Sequence, residues 1–161
     1  MVSRRQILQG VLSGHRGQFY PPWSIQLKRF IELCTQCDDC IKSCPQHILK
    51  RNNEGYPVVD YALAGCTFCG ECANACKTGS LSLMEFIGAE PWTVKAVITR
   101  HCVNFNGTVC QMCSAGCPFN AIKFRVHSGN MTLPEIDLEE CNGCGDCYRS
   151  CPKLAIDIKQ L

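Results

Sequence analysis

Apolar residues along this chain fall in short clumps, and each clump follows a run of cysteines by four or five residues. The clumps are Ile48-Leu49, Leu81-Ser82-Leu83, Ala121-Ile122-Lys123-Phe124 and Ala155-Ile156-Asp157-Ile158. Each predicts a short strand. Residues 92–99, rich in β-formers, predict one more. Ser24 stands where it would cap a short helix running to Leu33, with Ile25, Phe30 and Ile31 as the apolar face. The cysteine-rich loops are too tight for long elements, though their last turns can run into short helices. The pattern describes an α+β fold with little conventional core. No window approaches the about 18–20 consecutive apolar residues of a membrane-spanning helix, so no transmembrane segment is expected.

The cysteines make four groups. The first is Cys34-x2-Cys37-x2-Cys40-x3-Cys44-Pro45 and the second Cys66-x2-Cys69-x2-Cys72-x3-Cys76. The third is Cys102-x7-Cys110-x2-Cys113-x3-Cys117-Pro118 and the fourth Cys141-x2-Cys144-x2-Cys147-x3-Cys151-Pro152. A longer period lies over these. Cys37, Cys40 and Cys44 recur 73 residues later as Cys110, Cys113 and Cys117, and Cys66 and Cys76 recur 75 residues later as Cys141 and Cys151. The spacer Gly55-Tyr56-Pro57-Val58-Val59-Asp60 is echoed by Thr132-Leu133-Pro134-Glu135-Ile136-Asp137. The chain therefore reads as a duplicated two-motif unit. Gly and Pro at residues 88–91 mark the join. The expected division is an N-terminal extension over 1–26, a first unit over 27–90 and a second over 91–161.

Sixteen cysteines in 161 residues mean either a disulfide scaffold or metal binding, and the compartment decides. Ser3-Arg4-Arg5-x-Ile7-Leu8 looks like the start of a twin-arginine export signal. Such a signal needs an apolar run of about 7–15 residues, whereas here Val11-Leu12 gives way at once to Ser13-Gly14-His15-Arg16. The expectation is a cytoplasmic protein in a reducing compartment whose cysteines bind metal. Zinc sites use two Cys-x2-Cys knuckles separated by a longer loop, unlike four cysteines packed within eleven residues.

A [4Fe-4S] cluster needs four thiolates converging from different directions. Cys-x2-Cys-x2-Cys wraps three of them around one cluster, and the fourth cysteine of the run points to the other cluster of a pair. Proline after that cysteine fixes φ and turns the chain away. On this rule Cys34, Cys37, Cys40 and Cys76 hold one cluster, and Cys66, Cys69, Cys72 and Cys44 hold the second. Cys102, Cys110, Cys113 and Cys151 hold the third; Cys141, Cys144, Cys147 and Cys117 hold the fourth. The cofactor expectation is four [4Fe-4S] clusters on a tandem pair of bacterial 2[4Fe-4S] ferredoxin-like units. In the third group Asn106-Gly107 is a hairpin signal, which would pair Phe105 with Thr108 and bring Cys102 beside Cys110. Gly70, Gly116, Gly143 and Gly145 let backbone approach the clusters. Lys77 stands where a proline follows the other final cysteines. His47, His101 and His127 read as surface or packing residues, because the cysteines already suffice as ligands.

Charge adds a partner argument. The formal net charge is +2. Each cubane with its four sulfurs carries about −2 when oxidised, so the loaded chain sits near about −6 and a nucleic-acid role is disfavoured. Residues 1–31 are all basic among their charged positions, with Arg4, Arg5, Arg16, Lys28 and Arg29 before the first acid, Glu32. They form either a solvated tail or a docking arm, with Pro21-Pro22-Trp23-Ser24 as a stiff aromatic anchor. No Ser-His-Asp set, phosphate loop or paired-carboxylate site stands out, so no enzymatic activity is expected.

The whole chain resembles the NapF family, ferredoxin-type accessory proteins of periplasmic nitrate reductase systems. The resemblance rests on Ser3-Arg4-Arg5-x-x-Leu8, Pro21-Pro22-Trp23-Ser24, Cys34-Thr35-x-Cys37-Asp38-x-Cys40-Ile41, Gly55-Tyr56-Pro57-x-Val59, the x7 third group and Cys141-Asn142-Gly143-Cys144-Gly145. It implies a cytoplasmic accessory factor that binds the immature catalytic subunit of the reductase before export. The implied task is helping to install that subunit's cluster or supplying it with electrons. The alternative is a dedicated electron-transfer ferredoxin, or an electron-transfer subunit of another oxidoreductase.

Overall fold

The computed structural model describes residues 19–127 and 131–161; Arg4, Arg5 and Arg16 of the expected arm lie outside the described residues. Both halves use the same parts. The first half holds α1 (Leu27–Leu33), α2 (Asp39–Ser43), β1 (Leu49–Arg51), β2 (Pro57–Val59) and α3 (Glu71–Asn74). The second holds β3 (Val94–Ile98), α4 (Met112–Ala115), β4 (Ile122–His127), β5 (Met131–Ile136), α5 (Asp146–Ser150) and β6 (Ile156–Gln160).

Strands β1 and β2 pair antiparallel with Leu49 opposite Val59, and β4 and β5 likewise with Ile122 opposite Ile136. The repeat extends to side chains. Lys50 pairs with Asp60, and Lys123 pairs with Asp137 at 2.9 Å. Each aspartate then accepts a backbone N–H two residues on, Ala62 at 3.0 Å and Glu139 at 3.2 Å. These Asx turns steer both chains from the hairpin into the next cysteine loop.

Strand β3 pairs with β6, Ile98 opposite Ile156, which closes the second half on itself. In the first half the matching contact is a single bridge between Ser24 and Leu81. Pro21 and Pro22 precede Ser24 and lack N–H groups, so the ladder cannot lengthen there. The strand expected at 81–83 is accordingly absent, and the chain enters a 3-10 turn over Met84–Phe86. The helix expected to start at Ser24 starts at Leu27, with Gln26 at its N-cap. Ser24 instead donates to the Pro21 carbonyl at 2.6 Å, a bond that shapes the turn ahead of the helix.

Residues 19–26 pack into the body. Phe19 bridges Val59, and the Tyr20 ring lies 4.7 Å from that of Phe30. Pro21 and Pro22 are among the most buried side chains. Trp23, expected as an anchor, is half-buried; its backbone N–H donates to the Pro91 carbonyl at 2.9 Å and its ring meets Phe68 edge-on at 6.2 Å. One continuous apolar core joins both halves, from Phe30, Ile48 and Leu81 to Val94, Ile122 and Ile156.

Candidate metal centres

All sixteen cysteines are free thiols. Two hollows in the first half collect eight of them. One, of about 360 Å³ with its open mouth, is lined by Cys34, Cys37, Cys40 and Cys76. The other, of about 320 Å³, is lined by Cys44, Cys66, Cys69 and Cys72, with Trp23 at its wall. In the first half the final cysteine of each run thus lines the hollow of the other run.

The loops reach this shape by visiting left-handed backbone at fixed places. Gln36 and Asp38 in the first loop, Phe68 and Gly70 in the second, and Gly143 and Gly145 in the fourth all have positive φ. These positions flank the middle cysteine, so two sharp turns wrap the chain around each site. The third residue after each final cysteine is also left-handed: His47, Gly79, Asn120 and Leu154. There the chain turns from the site into the strand. Lys77, in place of a proline, reaches the Asp39 carboxylate at 3.2 Å and ties the end of the second run to α2.

The third group is built differently. Neither Val109 nor Gln111, the residues flanking Cys110, has positive φ, and Gln111 lies at φ −131°, so the double turn is missing. The expected hairpin is missing too: residues Val103–Asn106 form a 3-10 turn that Gly107 ends at φ 78°. Thr108 N–H donates to Val103 at 3.2 Å, which still draws the Cys110 end of the loop back to Cys102. Asn104, buried, donates to the Thr132 carbonyl at 2.9 Å and fixes this turn to the β4–β5 hairpin.

Charge proximity relates further thiols to one another. Burial, together with Cys34, Cys76 and Cys37 as charged neighbours, pushes the Cys40 thiol up to about 12. Cys66 and Cys72 are pushed up to about 12 by burial and both feel Cys44. In the second half burial raises Cys113, which has Cys102 and Cys151 as charged neighbours. Burial raises Cys144 to about 11 and Cys147 to about 12; both feel Cys141 and Cys117. Thiols crowded in this way resist ionising together unless a cationic body sits among them. Among the described residues no three His, Cys, Asp or Glu groups converge to hold a single metal ion. The first-half thiols ring hollows instead, which suits a polyatomic cluster, and backbone N–H groups of Phe68, Leu81 and Ala155 point at the sulfurs of Cys66, Cys76 and Cys151 at 3.3–3.4 Å.

Comparison with known proteins agrees with this geometry. Models of the 4Fe-4S dicluster domain match residues 33–81 and 108–155. The second match begins after Cys102. The ferredoxin-type protein NapF of Escherichia coli K12 is 36% identical over 99% of this chain and 96% of its own length. NapF of Haemophilus influenzae is 34% identical over 99% of this chain and 95% of its own. The chain belongs to the NapF family. More distant family relations include NapG of Escherichia coli K12, 28% identical over 88% of this chain, and the methylamine utilization protein MauM of Methylophilus methylotrophus, 30% identical over 88%. Two tandem dicluster domains with sixteen cysteines fit four [4Fe-4S] clusters. Among the described residues no helix is long and apolar enough to cross a membrane.

Proposed function

We propose that this protein is a cytoplasmic accessory factor that matures the catalytic subunit of a periplasmic nitrate reductase before export, by supplying electrons or a cluster to it. The cysteine sets lining the two hollows, each completed by the final cysteine of the other run, carry the iron–sulfur part of this reading. Kinship with NapF along 99% of the chain supports the partner.

The ligand sets follow the same exchange in both halves. Cys34, Cys37, Cys40 and Cys76 hold the first cluster, and Cys44, Cys66, Cys69 and Cys72 the second. Cys102, Cys110, Cys113 and Cys151 hold the third, and Cys117, Cys141, Cys144 and Cys147 the fourth. Each cluster supplies one-electron redox chemistry. The chain's contribution is to hold thiolates, shield them and aim N–H groups at their sulfurs, which tunes potential.

Anaerobic pull-down of the tagged protein from cytoplasm tests the reading. Recovery of the reductase subunit with its export signal still attached supports it. Recovery of only the processed subunit, or of none, overturns it. Iron and sulfide analysis should give about sixteen irons per chain, four for each of four clusters.

A further inference from the structure

The exchange of final cysteines joins sites within each half, yet the halves meet elsewhere. The backbone N–H of Cys66 donates to the carbonyl of Cys144 at 2.7 Å. The second and fourth cysteine loops are therefore hydrogen-bonded directly to each other. Tyr61, only 5% exposed, donates its O–H to the Gly143 carbonyl at 2.8 Å. Its hydroxyl has Cys66 of one loop and Cys144, Cys147 and Cys141 of the other as charged neighbours. Within the second half, Trp92 Nε1 donates to the Asn142 carbonyl at 2.8 Å and supports the same loop.

The approach is close enough to exclude side chains. A Cβ at Gly65 would lie 2.5 Å from the Asp146 carboxylate, and one at Gly145 2.1 Å from the Tyr61 ring. A Cβ at Gly143 would lie 2.1 Å from the Val94 carbonyl. None of these contacts holds a thiol to its own set. Those at Gly65 and Gly145 press the two halves together, and that at Gly143 seats the fourth loop on β3.

Within each half the next step is already present. Cys72 has Cys40 as a charged neighbour, and Ser43 of α2 donates to Glu71 of α3 at 3.2 Å. Cys147 has Cys113 as a neighbour, and Gly116 at the end of α4 abuts Ser150 of α5.

We infer that the second and fourth sites form a built junction, so that the four clusters make one electron relay in the order first, second, fourth, third. Tyr61 stands between the inner two. A low-potential one-electron carrier at one end reduces that site by one electron. Each onward step restores the site behind and reduces the one ahead, and an iron–sulfur acceptor of a partner takes the electron at the far end. No bond forms or breaks and no proton moves. The inference rests on the four-cluster reading proposed above, and iron analysis of the wild type tests that loading separately.

Two full-length variants test the order. Replacing Cys34, Cys37, Cys110 and Cys113 with Ala strips the outer sites; replacing Cys66, Cys69, Cys141 and Cys144 with Ala strips the inner ones. Each should keep about eight irons. After full reduction, electron paramagnetic resonance of the first variant should show the splitting and broadening of two neighbouring paramagnets. The second variant should give two separate, unsplit signals. Unsplit signals from the inner pair, or equal splitting in both variants, would overturn the relay order. Should either variant hold fewer irons, the intact holoprotein decides. With the Tyr61 ring isotopically labelled, its resonances should respond at two stages of a reductive titration, because two centres flank it. A response at one stage alone overturns the junction.

Discussion

The Ser80 hydroxyl lies 3.2 Å from the Sγ of Cys76, and Ser80 itself is only 3% exposed. Thr78 Oγ1 stands 3.6 Å from the same sulfur, and the Leu81 N–H donates to it at 3.4 Å. Burial alone would raise the Cys76 thiol, but these hydrogen bonds outweigh it and leave the thiol below its ordinary value. Donors on a ligating sulfur favour the more negative, reduced cluster and so raise its potential. The repeat-related residue in the second half is Ala155. Ser80→Ala should therefore lower the potential of the first cluster and leave the iron count unchanged. A redox titration followed by electron paramagnetic resonance reads the shift; an unmoved potential would show that the hydroxyl does not act on the sulfur.

Cluster retention should weaken as pH falls. Burial holds Cys40, Cys66, Cys72 and Cys147 up to about 12, and Cys144 up to about 11. In the cluster-free fold these thiols carry protons throughout the neutral range. Loading must displace those protons, so alkaline solution favours the loaded state and acid favours release. The Lys50–Asp60 pair sets a separate, lower limit. Its hydrogen bond holds the Asp60 carboxyl below the usual carboxylate range. That contribution is complete above the unfolded value of about 4 and is lost only as pH drops through the depressed folded value. Iron release should thus begin at higher pH than loss of the hairpin, which circular dichroism follows. Simultaneous loss of both would refute the separation.

Much of this arrangement was legible in the residues. Cys-x2-Cys-x2-Cys fixes how far apart thiols sit along the loop, and an apolar run after each group must turn inward. Those local rules placed β1, β4 and β6, and the β-formers of residues 92–99 placed β3. The Asn106-Gly107 signal failed because a hairpin needs two flanking strands, whereas the buried amide of Asn104 finds its partner at Thr132, 28 residues away. Ser24 failed as a cap for a related reason: Pro21, three residues back, offers a carbonyl. The contact between Cys66 and Cys144 has no local signature. Its trace in the sequence is the set of glycines at 65, 143 and 145, which only the folded chain explains.

The third site should be the most fragile. It lacks the double left-handed turn, and Asn104 holds its loop in place. Asn104→Ala removes a buried bond and should cost about 1–2 kcal/mol. Cys102→Ala should reduce the iron content from about sixteen towards about twelve, the loss of one four-iron cluster. Iron analysis of both variants reads the effect. Sixteen irons retained without Cys102 would show that another group completes the third site.

The opening residues divide into two parts with different expected roles. Residues 1–18 carry Arg4, Arg5 and Arg16 and no acid, while the loaded body is acidic. Residues 19–24 carry Phe19 on Val59, the buried Pro21 and Pro22, and Trp23 at the wall of the second hollow. Deleting residues 1–18 should leave about sixteen irons in place, since the thiols begin at Cys34. It should weaken capture of the reductase subunit, most clearly at low salt, where charge attraction is least screened. Deleting residues 1–24 should in addition uncover the second hollow and the Phe30 end of the core, so the first-half clusters should bleach before those of the second half. Co-purification across salt concentrations and timed iron release compare the two truncations. Equal capture by the full chain and the shorter truncation would make residues 1–18 a solvated extension. Equal iron release from both truncations would show that the Phe19–Trp23 segment contributes nothing to holding the first two sites.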